Sequence, residues 1–100
     1  MPFIVSVVLE GVTPDQYDLV RKECGWLEET PTGGLGHLTY FDGGNCYNVD
    51  AWESPEAFEA FGQDRLGPAI ARAGVNVEPK VSFFPAHEVF LPQQLTVTAT

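Results

Sequence analysis

Four short segments of the chain are predicted to be β-strands from the pattern of their apolar positions. The segments cover residues 3 to 10, 35 to 41, 46 to 52 and 79 to 86, and they are rich in Val, Phe and Tyr, which favour strands. Two other segments begin as helices do: Thr13 and Ser54 are each followed by a proline. A capping residue before a proline is typical of a helix N-terminus. The predicted order is therefore strand, helix, strand, strand, helix, strand.

This βαββαβ order predicts an α+β, ferredoxin-like domain with a four-stranded antiparallel sheet. The segments TPDQY, residues 13 to 17, and SPEAF, residues 54 to 58, repeat one helix start in the two halves, as two βαβ units require. The pattern extends over residues 1 to 88, which we expect to form one domain. Residues 89 to 100 are polar and contain a proline near their start, and we expect them to be a flexible C-terminal tail.

The first and last strands are apolar on both faces. Val5 and Val7 alternate with Ile4 and Val8 in the first strand, and Phe83 is followed by another phenylalanine in the last. An antiparallel sheet with one face in water usually alternates cleanly between apolar and polar residues. Both helices of this fold pack on one face, and no further element remains to cover the other. We therefore expect a homodimer whose two sheets pack face to face around a cavity, as in a dimeric α/β barrel.

The turn between the second and third strands predicts which residues lie side by side. If the DGGN segment, residues 42 to 45, is a two-residue hairpin turn, its first and last residues pair with each other. The same register places His37 opposite Asp50 and Thr39 opposite Asn48. Residues directly opposite share one face of the sheet at about 5 Å. These four polar side chains are therefore predicted to form one cluster on the face of the cavity, with Thr39 among the substrate contacts.

The clustered residues carry the chemical groups of an acid–base site. Asp50 would fix the tautomer of His37 and stabilise its protonated form, which favours a general base or proton shuttle. Asn48 would donate a hydrogen bond to a developing enolate or phenolate oxygen. Trp52, on the same face, would form an apolar wall against an aromatic substrate. The alternative interpretation is an ordinary ion pair of His37 and Asp50 on a solvated sheet face.

Other residues are candidates by their position alone. Ser6 and Ser82 lie on the strands that are apolar on both faces, so either could provide a small polar contact in the cavity. His87 follows the last strand, where it could cap the mouth of the cavity or simply lie in solvent. Tyr40 and Tyr47 have the opposite parity to the polar cluster and are expected to be core residues that face the helices.

Composition and charge exclude several classes of partner. The chain has 14 acidic and 5 basic residues, a net charge of -9, and such a surface repels nucleic acids and anionic membranes. No apolar run approaches the roughly 20 residues that span a bilayer, and the first residues do not have the pattern of a signal peptide. Cys24 and Cys46 are expected to be free thiols in a reducing cytoplasm. We expect neither a cofactor nor a metal, because no motif for metal, ATP or NAD is present.

The chain resembles the dimeric α/β-barrel proteins of the antibiotic-biosynthesis monooxygenase type. The resemblance rests on the length, the βαββαβ order and the segment DAWESPEAFEAF at residues 50 to 61, and it covers residues 1 to 88. Asn48 and Trp52 look like the Asn and Trp that line the pocket of cofactor-free quinol monooxygenases in that family. Its haem-degrading members pair such residues with a histidine on the second helix, which this chain lacks.

Two enzymatic functions agree with these residues. Proton abstraction by His37 would lead to cyclisation, isomerisation or elimination. Asn48 and Trp52 instead favour a quinol-type monooxygenase, in which the deprotonated substrate itself reacts with oxygen. In both cases the expected partner is a small hydrophobic or aromatic molecule, such as a polyketide-like compound. The alternatives are a dimer that binds a small ligand without transforming it and a purely structural dimer.

Overall fold

The structure, a computed structural model, describes residues 1 to 92 and Thr96. Its elements are β1 (Phe3–Glu10), α1 (Pro14–Cys24), β2 (Gly34–Asp42), β3 (Asn45–Trp52), α2 (Pro55–Phe61), a π-helical turn (Gly62–Leu66), α3 (Gly67–Arg72) and β4 (Lys80–Pro85). This is the predicted βαββαβ order, with the second helical segment in three parts. Of the predicted tail, residues 93 to 95 and 97 to 100 lie outside the described part of the chain.

The four strands form one antiparallel sheet in the order β2-β3-β1-β4. The hairpin between β2 and β3 closes on Gly43 and Gly44, whose φ angles of 58° and 81° are those of a primed two-residue turn. Asp42 pairs with Asn45, so the predicted register is confirmed. It is retained along β2 until an irregularity between Gly34 and Gly36.

Both helix starts follow from their capping residues. The Thr13 hydroxyl accepts from the backbone N–H of Gln16 at 3.2 Å, and the Gln16 side chain accepts from the backbone N–H of Thr13 at 2.9 Å. This reciprocal pair satisfies two N–H groups that the first turn of α1 leaves free. Ser54 caps α2 with its hydroxyl alone, which accepts from the backbone N–H of Ala57.

The helix that begins at Pro55 continues through Pro68 by widening one turn. Proline has no N–H and would disrupt a regular α-helix. Here the N–H of Gly67 donates to the carbonyl of Gly62, five residues earlier, and the chain then resumes as α3. Within the described residues, none of the helices has the length and apolar character needed to cross a membrane.

The helices pack on one face of the sheet and enclose the core there. The fully or nearly buried apolar residues of the core include Val5, Val7, Leu9, Val20, Cys46, Trp52, Phe58 and Ile70. The opposite face is open and strongly apolar, with Leu38, Tyr40 and Phe84 all more than half exposed. Tyr40 and Tyr47 stack on that open face with their ring centres 5.0 Å apart. The prediction that these two tyrosines face the helices was therefore wrong.

Candidate functional site

The polar residues of β3 face the helices. β1 pairs Val5 with Asp50 and Val7 with Asn48, and both valines are core residues under the helices. The polar row therefore shares the helix-covered face, and the prediction that its cavity lies between the sheet and a partner was wrong. The physical reason is that β1 is apolar on both faces, so alternation alone did not tell which face the helices cover.

A cavity of about 170 Å³ lies between this face of the sheet and the helices. Aromatic and aliphatic side chains form most of its wall, among them Trp26, Trp52, Phe61 and Leu66. The polar side chains on the wall include Tyr17, His37, Asn48 and Asp50. A cavity of roughly 150 Å³ is large enough for benzene. This space therefore suits a small aromatic molecule.

His37 and Asp50 form the central pair of the polar wall. His37 Nδ1 and Asp50 Oδ1 are 2.7 Å apart, and Asp50 is only 8% exposed. The second carboxylate oxygen accepts a hydrogen bond from the indole N–H of Trp52 at 3.1 Å. Because a carboxylate only accepts, Nδ1 of His37 carries the hydrogen in this contact. Nε2 is then the ring nitrogen that faces the rest of the site and can exchange a proton with a ligand.

Tyr17 and Thr39 surround Nε2 of His37. The Tyr17 hydroxyl lies 2.8 Å from Nε2 and the Thr39 hydroxyl also lies 2.8 Å from it. Burial raises the pKa of the Tyr17 phenol above its ordinary value of 10.0, so the phenol stays protonated and can donate a hydrogen bond. Sequence analysis did not identify Tyr17 as a site residue. A signal was present in the repeat, where TPDQY has a tyrosine at the position of the phenylalanine in SPEAF.

The side chain of Asn48 joins Thr39 of the cluster to the backbone of β1. Its side-chain amide N–H donates to the carbonyl of Val7 at 3.1 Å and lies 3.6 Å from the sulfur of Cys46. Its carbonyl oxygen accepts from Thr39 at 2.8 Å. In this geometry the amide hydrogens point away from a ligand, so the predicted hydrogen bond from Asn48 to a substrate oxygen stays a prediction that requires the amide to turn.

The other predicted site residues separate into two groups. Trp52 is buried on the cavity wall and packs on Phe58 and Phe61, with ring centres 5.5 and 5.2 Å away. Ser6 pairs directly with Ser82 on the open face of the sheet. His87 is exposed beyond β4. Neither serine nor His87 lines the cavity.

The loop between α1 and β2, residues 25 to 33, closes the cavity on the side away from the hairpin turn. Trp26, Thr30 and Pro31 of this loop contribute to the wall. The Trp26 ring centre is 5.2 Å from that of His37 and 5.9 Å from that of Tyr17. Sequence analysis did not identify Trp26, because a loop residue shows no periodicity from which its contacts could be predicted.

Two buried thiols and the partly buried phenol of Tyr17 make the folded state sensitive to alkali. Burial raises the pKa of Cys24 and Cys46 above 9.0 and that of Tyr17 above 10.0. The folded state therefore keeps these protons to a higher pH than the unfolded chain, and stability declines as pH rises past the unfolded values. We expect the free energy of unfolding, measured with urea, to fall as the pH rises from about 8 to about 10. Replacing both cysteines with alanine should reduce this loss, and an unchanged pH dependence in that variant would contradict the assignment.

Within the described residues, no group of three or more His, Cys, Asp or Glu side chains could hold a metal ion. The polar wall that the structure does show is the pair of His37 and Asp50 with Tyr17, Thr39 and Asn48 beside it.

Comparison with known proteins places the chain among structures of one fold. No family model matches the chain and no curated protein matches its sequence. The monooxygenase ActVA-Orf6 of Streptomyces coelicolor, in complex with nanaomycin D, is 25% identical, with a TM-score of 0.61 over 91% of this chain and 92% of that one. A variant of SnoaB, a cofactor-independent oxygenase from Streptomyces nogalater, is 13% identical, with a TM-score of 0.63 over 92% and 98%. A protein of unknown function from Nitrosomonas europaea is 15% identical, with a TM-score of 0.66 over 93% and 96%.

These neighbours confirm the ferredoxin-like α+β fold and the resemblance to proteins of the antibiotic-biosynthesis monooxygenase type. At 13% to 25% identity, the likeness concerns the architecture.

Proposed function

We propose that this protein is a cofactor-independent monooxygenase that oxidises a small, neutral aromatic phenol or enol in the cavity between its sheet and its helices. The observation that carries the proposal is the buried carboxylate of Asp50, which holds His37 at 2.7 Å on the wall of a mostly apolar cavity. A hydrogen-bonded His–Asp pair in a cleft, with the carboxylate buried, is typical of a site for acid–base chemistry. The shared fold of a monooxygenase and a cofactor-independent oxygenase supports the oxidative form of that chemistry.

In the proposed first step, Nε2 of His37 removes the proton from the substrate hydroxyl. Asp50 stabilises the imidazolium that forms, through its hydrogen bond to Nδ1. The Tyr17 hydroxyl, which lies 2.8 Å from Nε2, is displaced toward the substrate and donates to the resulting oxyanion. Positioned general bases typically contribute about a hundredfold to ten-thousandfold in rate. The apolar remainder of the wall strengthens these interactions, because it excludes water.

The oxidation that follows uses dioxygen as its second reactant. The phenolate is rich in electrons at the ring carbon para to its oxygen, and dioxygen forms a bond there. Cleavage of the O–O bond leaves one oxygen atom on that carbon as a carbonyl and releases the other as water. The two hydrogens of the water are the hydroxyl hydrogen and the hydrogen of the para carbon. All four electrons that reduce dioxygen come from the substrate, which becomes a quinone.

The wall also favours an uncharged substrate of limited size. Among the described residues that line the cavity, none is Lys or Arg, and the one carboxylate, Asp50, is bound by His37 and Trp52. A carboxylate on the substrate would find no partner in this cavity and would lose its hydration. The volume of about 170 Å³ favours one or two fused rings. We therefore choose α-naphthol as the first test compound.

The experiment is to incubate the protein with α-naphthol and isotopically labelled dioxygen. The proposal predicts that oxygen uptake equals naphthoquinone formed, with one labelled atom in the quinone and one in water. Uptake that yields hydrogen peroxide with no label in the product would contradict a monooxygenase. Phenols with a blocked para position serve as the control, because they can bind and be deprotonated but cannot form the quinone.

A proton-transfer enzyme, such as a cyclase or isomerase, is the second candidate. The pair of His37 and Asp50 would serve it equally well, since abstraction of a proton from an enolisable carbon does not need dioxygen. Exchange of a carbon-bound hydrogen of the substrate for solvent deuterium, without oxygen uptake, would favour this candidate. Binding of the test compound without exchange or oxidation would favour a ligand-binding protein.

We further propose that the open face of the sheet is the contact between two copies of the chain. Leu38 is 71% exposed there. Tyr40 on the same strand and Phe84 on the opposite edge strand each have more than half of their surface exposed. Contiguous apolar surface of this kind usually marks a protein contact. The mixed apolar and small polar residues of β1 and β4, including the paired Ser6 and Ser82, fit a sheet-on-sheet contact.

Sedimentation of two variants tests this homodimer. We expect the wild type to sediment as a dimer of 10.9 kDa chains. Leu38→Asp should weaken the association by more than about tenfold, because it buries an unpaired charge. Leu19→Asp is the matched control, since Leu19 is 50% exposed on α1, away from the sheet. Equal effects of the two substitutions would contradict the assignment of the contact.

A further inference from the structure

We infer that Arg65 sets the size of substrate that the cavity accepts, because it clamps the loop of residues 25 to 33 as one wall of that cavity. The inference rests on the proposed function, since it assigns a specificity-determining residue to the same site. Arg65 does not line the cavity. It acts as a positioning residue, through the loop.

The contacts of Arg65 join two parts of the chain that are distant in sequence. Its Nη2 donates to the carbonyl of Cys24, the last residue of α1, at 3.0 Å. The same nitrogen donates to the carbonyl of Glu29, in the middle of the loop, at 2.9 Å. Hydrogen bonds from a charged donor are stronger than neutral ones. The side chain therefore fixes both the beginning and the middle of the loop.

The helical segment that carries Arg65 also forms part of the cavity wall. The guanidinium lies over the ring of Phe61, 5.5 Å from its centre, and Phe61 and Leu66 both line the cavity. Arg65 and Leu66 belong to the π-helical turn, Gly62–Leu66. Such turns often occur at functional sites. One rigid segment thus supplies two wall residues and holds the loop that supplies three more.

The loop has few other attachments. Backbone hydrogen bonds close it on itself, from Glu28 and Glu29 to the carbonyl of Gly25. Two more fix its far end, from Gly34 to the carbonyl of Pro31 and from Glu53 to the carbonyl of Gly33. In the part of the chain that the structure describes, Arg65 provides the one side-chain hydrogen bond that reaches the loop, to the carbonyl of Glu29. Without it, ring packing and backbone hydrogen bonds alone hold the loop, so we expect Thr30 and Pro31 to move away from the cavity more readily. A wider cavity holds a two-ring ligand less tightly and admits a three-ring one.

Arg72 offers a matched control on the same helical segment. Its Nε and Nη2 bind the side chain and the carbonyl of Glu23, on α1. It therefore links the same helices through the same kind of contact, but it touches neither the loop nor the cavity wall. Arg65→Gln and Arg72→Gln each remove one charge and one inter-helix link. Only the first removes the contact with the loop.

The experiment measures the loop and the ligands separately in the wild type, Arg65→Gln, Arg65→Lys and Arg72→Gln. Hydrogen exchange of residues 26 to 33 reports on the loop, and dissociation constants of α-naphthol and a phenanthrol report on the cavity. In Arg65→Gln we expect exchange about tenfold faster, and a ratio of phenanthrol to α-naphthol affinity about tenfold higher. In turnover, KM for α-naphthol should rise more than kcat falls. Arg65→Lys should recover part of each change, and Arg72→Gln should show none of them.

Three results would overturn the inference, and they point to different causes. Equal increases of hydrogen exchange in the loop of Arg65→Gln and Arg72→Gln would mean that Arg65 acts on the loop only by linking the helices. A faster loop with an unchanged affinity ratio would mean that the loop does not set the size limit. Failure of the wild type to bind either compound would overturn the proposed function, and the inference with it.

Discussion

Replacing His37 with glutamine is expected to reduce turnover by about a hundredfold to ten-thousandfold, the usual contribution of a positioned general base. The amide of glutamine can still donate to Asp50, which lies 2.7 Å from the imidazole in the wild type, but it cannot accept the substrate proton. Binding of α-naphthol should change much less, because the aromatic wall is intact. The measurement is steady-state oxygen uptake with α-naphthol, together with its dissociation constant.

The chain contains its own control, since it has two histidines. His87 is exposed and lies outside the cavity, so His87→Gln should retain wild-type turnover. The thermal unfolding midpoint of both variants should stay close to that of the wild type. Turnover that survives in His37→Gln would mean that another group accepts the proton. A collapse of folding in that variant would instead assign His37 a structural role.

Replacing Asp50 is expected to reduce both stability and turnover. Asp50→Ala leaves the indole N–H of Trp52 and the Nδ1–H of His37 without their acceptor, and the indole is buried. Loss of the partner of a buried donor costs about 1 to 3 kcal/mol, and the deleted side chain adds to that cost. We expect a loss of about 2 to 4 kcal/mol in the free energy of unfolding, measured with urea. Asp64→Asn, on the exposed side of the π-helical turn, should leave it unchanged.

Asp50→Asn separates catalysis from folding, because it keeps the volume of the side chain. Its single carbonyl oxygen can accept from His37 or from Trp52, while its amide N–H opposes the other donor. We expect turnover to fall, and we expect the double variant of His37→Gln and Asp50→Asn to be no slower than His37→Gln alone. Groups that act as a unit show such non-additive losses. If the fold-losses of turnover in the two single variants instead multiply in the double variant, Asp50 acts on the substrate independently of His37.

The local structure could be predicted from the sequence because each feature depends on neighbouring residues. The helices start at Thr13 and Ser54, whose side chains accept from the first backbone N–H groups. The hairpin register followed from Gly43 and Gly44, since two adjacent glycines with positive φ form one type of two-residue turn. That register alone placed His37 opposite Asp50. The contact at the centre of the site was therefore predictable before any tertiary structure.

The position of the cavity could not be predicted in the same way. A strand that is apolar on both parities, such as β1, does not tell which face the helices cover. Tyr17 and Trp26 reach His37 only because α1 and the following loop pack across β2. Arg65 reaches the loop from 36 positions away in sequence. Such contacts depend on how the helices are arranged over the sheet, and periodicity within one segment does not report that arrangement.

NMR of the imidazole nitrogens of His37, with and without α-naphthol, tests the central claim most directly. It is recorded at a pH where the imidazole of the free protein is neutral, and His87 is the internal reference. We predict that Nδ1 carries a hydrogen in both states, because Asp50 holds it, and that Nε2 accepts a hydrogen bond from the ligand hydroxyl when the ligand binds, which shifts the Nε2 resonance. An Nε2 resonance that saturating ligand leaves unchanged, or a hydrogen on Nε2 in place of Nδ1, would contradict a His37 base positioned by Asp50.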